Sequence, residues 1–82
     1  MNIEEIKTQI KEYLLENIPN QGLELSYDTD LLSEWFIDSL GTITTILFLE
    51  KKFGLTIKRA DINADNFTSI NTISTYVFSN IK

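Results

Sequence analysis

Apolar residues recur every three or four positions in three stretches of this 82-residue chain. That spacing places side chains on one face of a helix. After the first stretch, Pro19 and Gly22 follow directly and are typical of a helix end. The pattern therefore predicts a first helix over residues 3–18, with an apolar face formed by Ile3, Ile6, Ile10, Tyr13, Leu14 and Ile18.

The second stretch predicts a helix that begins at Asp38 and ends at Gly54. The Asp38 carboxylate can accept the backbone N–H of Leu40 or Gly41 and so cap the helix. Gly54 is a good C-cap, because glycine adopts the left-handed conformation that often follows a helix. We expect the core face to hold Ile43, Ile46, Leu49 and Phe53, with Phe48 as a further candidate. Leu40 and Leu47, at one edge of that face, are expected to stay partly exposed.

The third stretch predicts a last helix capped by Ser69, with Ile70, Ile73, Val77 and Ile81 at helical spacing. A short helix is predicted before it, over residues 60–64, and we expect it to be broken by Asn63, Asp65 and Asn66. These patterns together predict an all-α fold over a single domain, residues 1–82. It is a four-helix bundle of three main helices and a short third helix, with a long loop between the first two.

The connection over residues 19–37 has no clear period and is rich in Pro, Asn, Gly, Ser and Asp. A loop of this length is usually functional or packed by its own side chains. We expect its apolar residues to point inward, and a turn of helix is possible near 29–33. The residues concerned are Leu23, Leu25, Tyr27, Leu31 and Leu32; Trp35 is expected to anchor the loop in the core, and Phe36 or Ile37 to stay partly exposed.

Composition excludes several chemistries. The chain has no cysteine, which excludes disulfides and thiolate zinc sites, and no histidine, the most common general base and metal ligand. A Ser-His or Cys-His dyad is therefore impossible. We expect no catalytic residue and no metal site, and the protein is predicted not to be an enzyme.

Charge narrows the class of partner. The net charge is −5, and there is no Lys or Arg between Lys11 and Lys51. Nucleic-acid binding needs the opposite sign, so that class is rejected. An acidic surface suits steering toward basic partner proteins, although it also simply keeps a small domain in solution. The first ten residues do not form a signal peptide, and no apolar run has membrane-spanning length, so a cytoplasmic location is predicted.

One tripeptide, Asp38-Ser39-Leu40, is a candidate for chemistry. Ser39 would be the first helical residue, where backbone N–H groups have no intrahelical partner and the helix dipole is positive. A phosphate attached there would meet a favourable field. The alternative is that the pair only starts a helix, because Asp and Ser are common at that position.

The context of this tripeptide resembles the acyl carrier and peptidyl carrier protein family. The resemblance rests on "DSLGTITTILFLEKKFGLTI", residues 38–57, and on "NFTSINTISTYV", residues 66–77. It implies that Ser39 carries a 4′-phosphopantetheine arm attached by a phosphopantetheinyl transferase. The arm would hold acyl or aminoacyl groups as thioesters and present them to loading enzymes and to downstream synthases or transferases. Asp38 would cap the helix and help the transferase recognise the site, with Leu40 completing the motif.

The resemblance also implies a surface for partner recognition on the second helix, formed by Ile37, Leu40, Ile43, Thr44 and Leu47. The sequence departs from fatty-acid carriers here, because residues 41–49 hold no charge. Phe36 also occupies a position where many members have glycine. These features look closer to aminoacyl, D-alanyl or peptidyl carriers and to specialised pathways, and we expect a monomer. The alternative is a small helical interaction module without a cofactor, which would use the apolar edge of that helix to bind a partner helix.

Overall fold

The computed structural model describes residues 2–18, 24–34 and 39–81. Helices in these ranges follow the order α1 (Ile3–Asn17), α2 (Leu31–Glu34), α3 (Ser39–Phe53), α4 (Ala64–Phe67) and α5 (Ile70–Asn80). A single 3₁₀ turn, Arg59–Asp61, precedes α4. No strand occurs among the described residues, and the predicted all-α class is confirmed.

Helices α1 and α5 form the centre of the core. The predicted first helix is confirmed: Asn2 caps it by accepting the Glu5 N–H at 2.9 Å, and the backbone becomes extended at Ile18. In α5 the Ser69 hydroxyl and the Thr72 hydroxyl each accept the other residue's backbone N–H, forming a capping box. Three side chains of each apolar face are fully buried, namely Ile6, Ile10 and Leu14 from α1 and Ile70, Ile73 and Val77 from α5.

The segment over residues 24–34 lies against this core, as expected of a packed loop. The Leu31 N–H donates to the Thr68 carbonyl at 2.7 Å, and the Asn71 N–H donates to the Tyr27 carbonyl at 3.1 Å. Leu25 and Leu31 are buried and Tyr27 packs against the core, but the prediction for Leu32 is wrong: its side chain is 38% exposed. Leu32 follows Leu31 in α2 and so points about 100° away from it around the helix.

The predicted short helix over residues 60–64 is placed incorrectly. Asn63 does not break the helix but starts it, because its side-chain oxygen accepts the Asn66 N–H at 3.1 Å and caps α4. Asp65 and Asn66 lie within α4. Asn is poor in helix interiors and favoured at N-caps for the same reason, namely that its short polar side chain bonds the neighbouring backbone.

Candidate functional site

The candidate site is the start of α3. Ser39 is the first residue of this 15-residue helix, so the predicted position of Ser39 at a helix start agrees with the backbone. The predictions for Leu23 and for Trp35, Phe36, Ile37 and the Asp38 cap lie outside the described residues. The side chains of Ser39 and Leu40 also lie outside what is described, so their roles stay predictions.

The field at this helix start suits a phosphodiester. The first turn of α3 contains no acidic residue. Residues 41–49 carry no charge at all. The positive end of the dipole of a 15-residue helix stabilises a nearby anion. The residues present fit an attached phosphate at Ser39, because the first turn of α3 adds no carboxylate and the acidic neighbour in the sequence, Asp38, precedes the helix.

Burial along α3 separates two faces. Leu49 is fully buried and Ile46, Phe48 and Phe53 pack partly against the core. On the opposite side, Ile43 is 53% exposed and Leu47 is 60% exposed, and Thr44 lies between them. The expected exposure of Leu47 is confirmed. The assignment of Ile43 to the core is wrong, but its assignment to the partner-recognition surface is compatible with this exposure.

On α3 it is Thr45, and not Ile43, whose side chain faces the core, which the apolar pattern did not predict. Its side chain is almost completely buried, and its hydroxyl donates to the Gly41 carbonyl at 2.9 Å. This bond to the preceding turn satisfies the hydroxyl inside the helix and lets the Thr45 methyl group pack inward. The spacing could have indicated this burial, because Thr45 lies four residues before the buried Leu49 and therefore on the same face of the helix.

An aromatic cluster packs α3 against α1. The rings of Tyr13 and Phe48 are stacked with centroids 4.0 Å apart, and Phe48 meets Phe53 edge-on at 6.2 Å. The Tyr13 hydroxyl is buried and has no hydrogen-bond partner of normal geometry among the described residues. Burial raises the pKa of this phenol, and the neighbouring Thr45 hydroxyl offsets part of the rise. The cluster fixes the helix that begins at Ser39.

The far end of α3 is also tied down. Gly54 ends the helix with a φ of +67°, as predicted, and its N–H donates to the Glu50 carbonyl at 3.0 Å. The Glu50 carboxylate turns back and accepts the Ile57 N–H at 2.9 Å. Lys51 and Lys52 are exposed in the last turn. The last turn of α3 therefore carries two exposed cations, while the carboxylate of Glu50, within the same helix, accepts a backbone N–H.

Other serines offer poorer attachment points. The hydroxyls of Ser26 and Ser33 bond to Thr29 and Asp30 at 3.1 Å and 2.9 Å. Ser69 is buried in the capping box of α5, and Ser74 is fully buried. Ser79 is exposed, but it lies in the last turn of α5, where the helix dipole disfavours an anion.

The part of the chain that the structure describes was assessed for a metal site and for a membrane-spanning helix. Among these residues, no group of three or more carboxylate-bearing side chains could hold a metal ion. No helix within them is long and apolar enough to cross a membrane.

Comparison with known proteins identifies the family. A family model described as "Phosphopantetheine attachment site" matches residues 8–77 of the chain. A D-alanyl carrier protein from Bacillus velezensis is 25% identical over 69 residues, which is 84% of this chain and 88% of that protein. Members of the family are non-catalytic carriers that hold 4′-phosphopantetheine covalently on a serine. This chain belongs to the phosphopantetheine-attachment family and is a carrier protein, not an enzyme.

Proposed function

We propose that Ser39 is the serine that carries the 4′-phosphopantetheine arm. The observation that carries the proposal is the position of Ser39 as the first residue of α3, inside the matched segment, on a first turn without acidic residues. The hydroxyls of the other serines in that segment are hydrogen-bonded or buried, as described above. A cofactor-free interaction module is not favoured, because the family holds its cofactor covalently.

Each part of the proposed site has a separate task. The Ser39 oxygen would hold the phosphodiester, and the N-terminus of α3 would stabilise its negative charge. Asp38, by its place before the helix, would cap α3 and assist recognition by the transferase. When bound, the arm supplies a thiol that holds the cargo as a thioester, which this chain cannot do by itself because it has no cysteine.

The cargo we propose is an acyl or aminoacyl group of a specialised or aminoacyl pathway. The uncharged stretch over residues 41–49 supports this, since it lacks the acidic helix of fatty-acid carriers. The similarity to a protein named as a D-alanyl carrier makes D-alanine the first amino acid to test. Partners would be a phosphopantetheinyl transferase, a loading enzyme and downstream synthases or transferases. We propose that residues 1–82 form a single domain, and that the protein is monomeric and cytoplasmic.

Intact mass tests the attachment site. The protein is co-expressed with a broad-specificity phosphopantetheinyl transferase, and we expect its mass to rise by one phosphopantetheine group. Ser39→Ala should abolish this increment, whereas the matched variant Ser33→Ala should keep it. An unmodified wild-type protein, beside a control carrier that the same transferase modifies, would refute the proposal. An increment that survives Ser39→Ala would refute the choice of serine.

The cargo is tested on the modified protein. It is incubated with ATP and a D-alanine-activating enzyme, and then with other amino acids and their activating enzymes. A mass increment that hydroxylamine removes indicates a thioester on the arm. Failure of every amino acid, with loading by an acyl-activating enzyme, would contradict the aminoacyl assignment and leave the attachment site standing.

A further inference from the structure

The exposed side of α3 combines two kinds of side chain in a fixed order. Ile43 and Leu47 are each more than half exposed, and Lys51 follows in the same direction. We call Ile43 and Leu47 the apolar ridge and Lys51 with Lys52 the lysine end. Large apolar side chains this exposed are informative when they are adjacent, because contiguous apolar surface marks interaction sites.

Helical geometry places Lys51 in line with the ridge, while Lys52 lies about 100° further around the helix. Residues 43, 47 and 51 are four positions apart, so each step advances about 6 Å along the axis and turns about 40° around it. They therefore form a continuous row on the side away from the buried Leu49. Lys51, the last residue of the row, lies about 18 Å from Ser39 along the helix axis. A partner that approaches Ser39 along α3 would therefore contact the row.

The charge of this row differs from that of the whole protein. The chain carries a net charge of −5, yet residues 41–49 are uncharged and the two lysines are exposed. The acidic residue within α3, Glu50, is half-buried and bonded to the Ile57 N–H. A surface depression lined by Phe48, Lys51 and Lys52 lies at this end. An acidic side chain of a partner could enter it and contact both cations.

We infer that the loading partner presents an apolar groove to the ridge and carboxylates to the lysine end. This inference rests on the proposed function, since it concerns the partner that reads the surface beside Ser39. It reverses the charge expected from the acidic composition, which by itself would predict a basic partner. Charge complementarity fixes the register of docking, and the apolar contacts supply most of the affinity.

Two synthetic helical peptides test the chemistry of this surface on the full 82-residue protein. Both carry the same leucine face with four-residue spacing; one ends in three glutamates and the other in three lysines. We expect the glutamate peptide to bind about three- to tenfold more tightly at low salt, from two exposed charge pairs. The preference should shrink as salt rises, because exposed charges are screened. Fluorescence anisotropy gives the affinities, and amide chemical shifts locate the contact.

Matched variants make the test specific. The pair Lys51→Glu and Lys52→Glu should abolish or reverse the preference, while Lys58→Glu and Arg59→Glu, with the same change of charge on exposed residues, should leave it unchanged. Ile43→Ser with Leu47→Ser should weaken both peptides, whereas Leu15→Ser, another exposed leucine, should weaken neither. Circular dichroism verifies that each variant remains folded.

Several results would overturn the inference. They are equal binding of the two peptides, tighter binding of the lysine peptide, or a preference that survives reversal of Lys51 and Lys52. Self-association through the ridge, seen by sedimentation and abolished by Leu47→Ser, would assign this surface to a second copy instead. None of these outcomes affects the mass increment on Ser39, so the proposed function and this inference can fail separately.

Discussion

Tyr13 shows how one side chain in this small core carries two opposed effects. Its ring stacks on Phe48 at 4.0 Å and so joins α1 to α3. Its hydroxyl is buried and lacks a partner of normal geometry within the described part of the chain. Burying apolar area stabilises the fold, while burying an unpaired hydroxyl costs free energy. The ring of Tyr13 therefore stabilises the core, whereas its hydroxyl does not.

We expect Tyr13→Phe to leave the free energy of unfolding unchanged at neutral pH or to raise it by up to about 1 kcal/mol. Burial raises the pKa of Tyr13 above its ordinary 10.0, so the unfolded state ionises first as the pH rises. The stability that the neutral Tyr13 phenol contributes is fully present below pH 10.0, and it is lost as the pH rises through the pKa of the folded state. Urea denaturation across this range should show a smaller alkaline loss in the variant.

Tyr76→Phe is the control for that experiment. The Tyr76 hydroxyl donates to the Asp61 carboxylate at 2.8 Å, so its removal should cost about 1 kcal/mol at neutral pH. Burial and the Asp61 carboxylate raise the pKa of Tyr76 as well. A Tyr13→Phe protein that is destabilised as much as Tyr76→Phe would show that the Tyr13 hydroxyl does have a partner in solution.

At the scale of elements, short polar residues set where helices begin. Asn2, Asn63 and Ser69 each accept a backbone N–H three residues ahead. The end of α3 depends on backbone conformation instead, because Gly54 adopts a φ of +67°. A Cβ atom added at Gly54 would have nothing within 4 Å, so the cost of a substitution there is conformational.

Gly54→Ala is therefore expected to lower the free energy of unfolding by about 1–2 kcal/mol, the cost of a left-handed conformation for an L-residue. Gly54→Asn should cost less, because asparagine tolerates this conformation better. Urea denaturation of the two variants measures the difference. Equal stability of alanine, asparagine and wild-type proteins would mean that the turn does not hold a positive φ in solution.

At the scale of the molecule, residues 24–34, which include α2, are bonded to the end of α4 and the start of α5. Two backbone hydrogen bonds and an Asn71 to Asp28 side-chain bond hold this segment, and the Lys7 and Lys11 ammonium groups lie 5.5 and 5.6 Å from the centre of the Tyr27 ring. Leu31 adds a fully buried side chain, while adjacent Leu32 is 38% exposed. In a domain of this size, one such anchor is a large share of total stability.

Leu31→Ala and Leu32→Ala form a matched pair for this anchor. The first should cost about 2–5 kcal/mol, from the lost transfer free energy and the cavity left behind. The second should cost less than about 1 kcal/mol, as is usual for a partly exposed residue. Chemical denaturation measures both, and hydrogen exchange should show faster opening of residues 24–34 in Leu31→Ala only. Similar losses in the two variants would contradict the packing described here.

Periodicity and capping chemistry were enough to determine α1, α3 and α5, because these signals are local: apolar residues every three or four positions, Ser69 before the last helix and glycine after α3. Composition alone excluded chemistry that depends on histidine or cysteine. The position of Ser39 at a helix start also followed from the sequence, since its neighbours form a strong apolar helix.

Only the tertiary structure decided which apolar residues are buried. Ile43 and Leu47 are exposed while Thr45 is buried, and Leu31 is buried while Leu32 is not. Asn63 became a cap where the sequence indicated a break. Each choice depends on where α1, α4 and α5 lie around a residue, which local propensity does not encode. The sequence by itself thus determined the helices and the candidate serine, and the packing of distant segments decided which face of α3 is left for a partner.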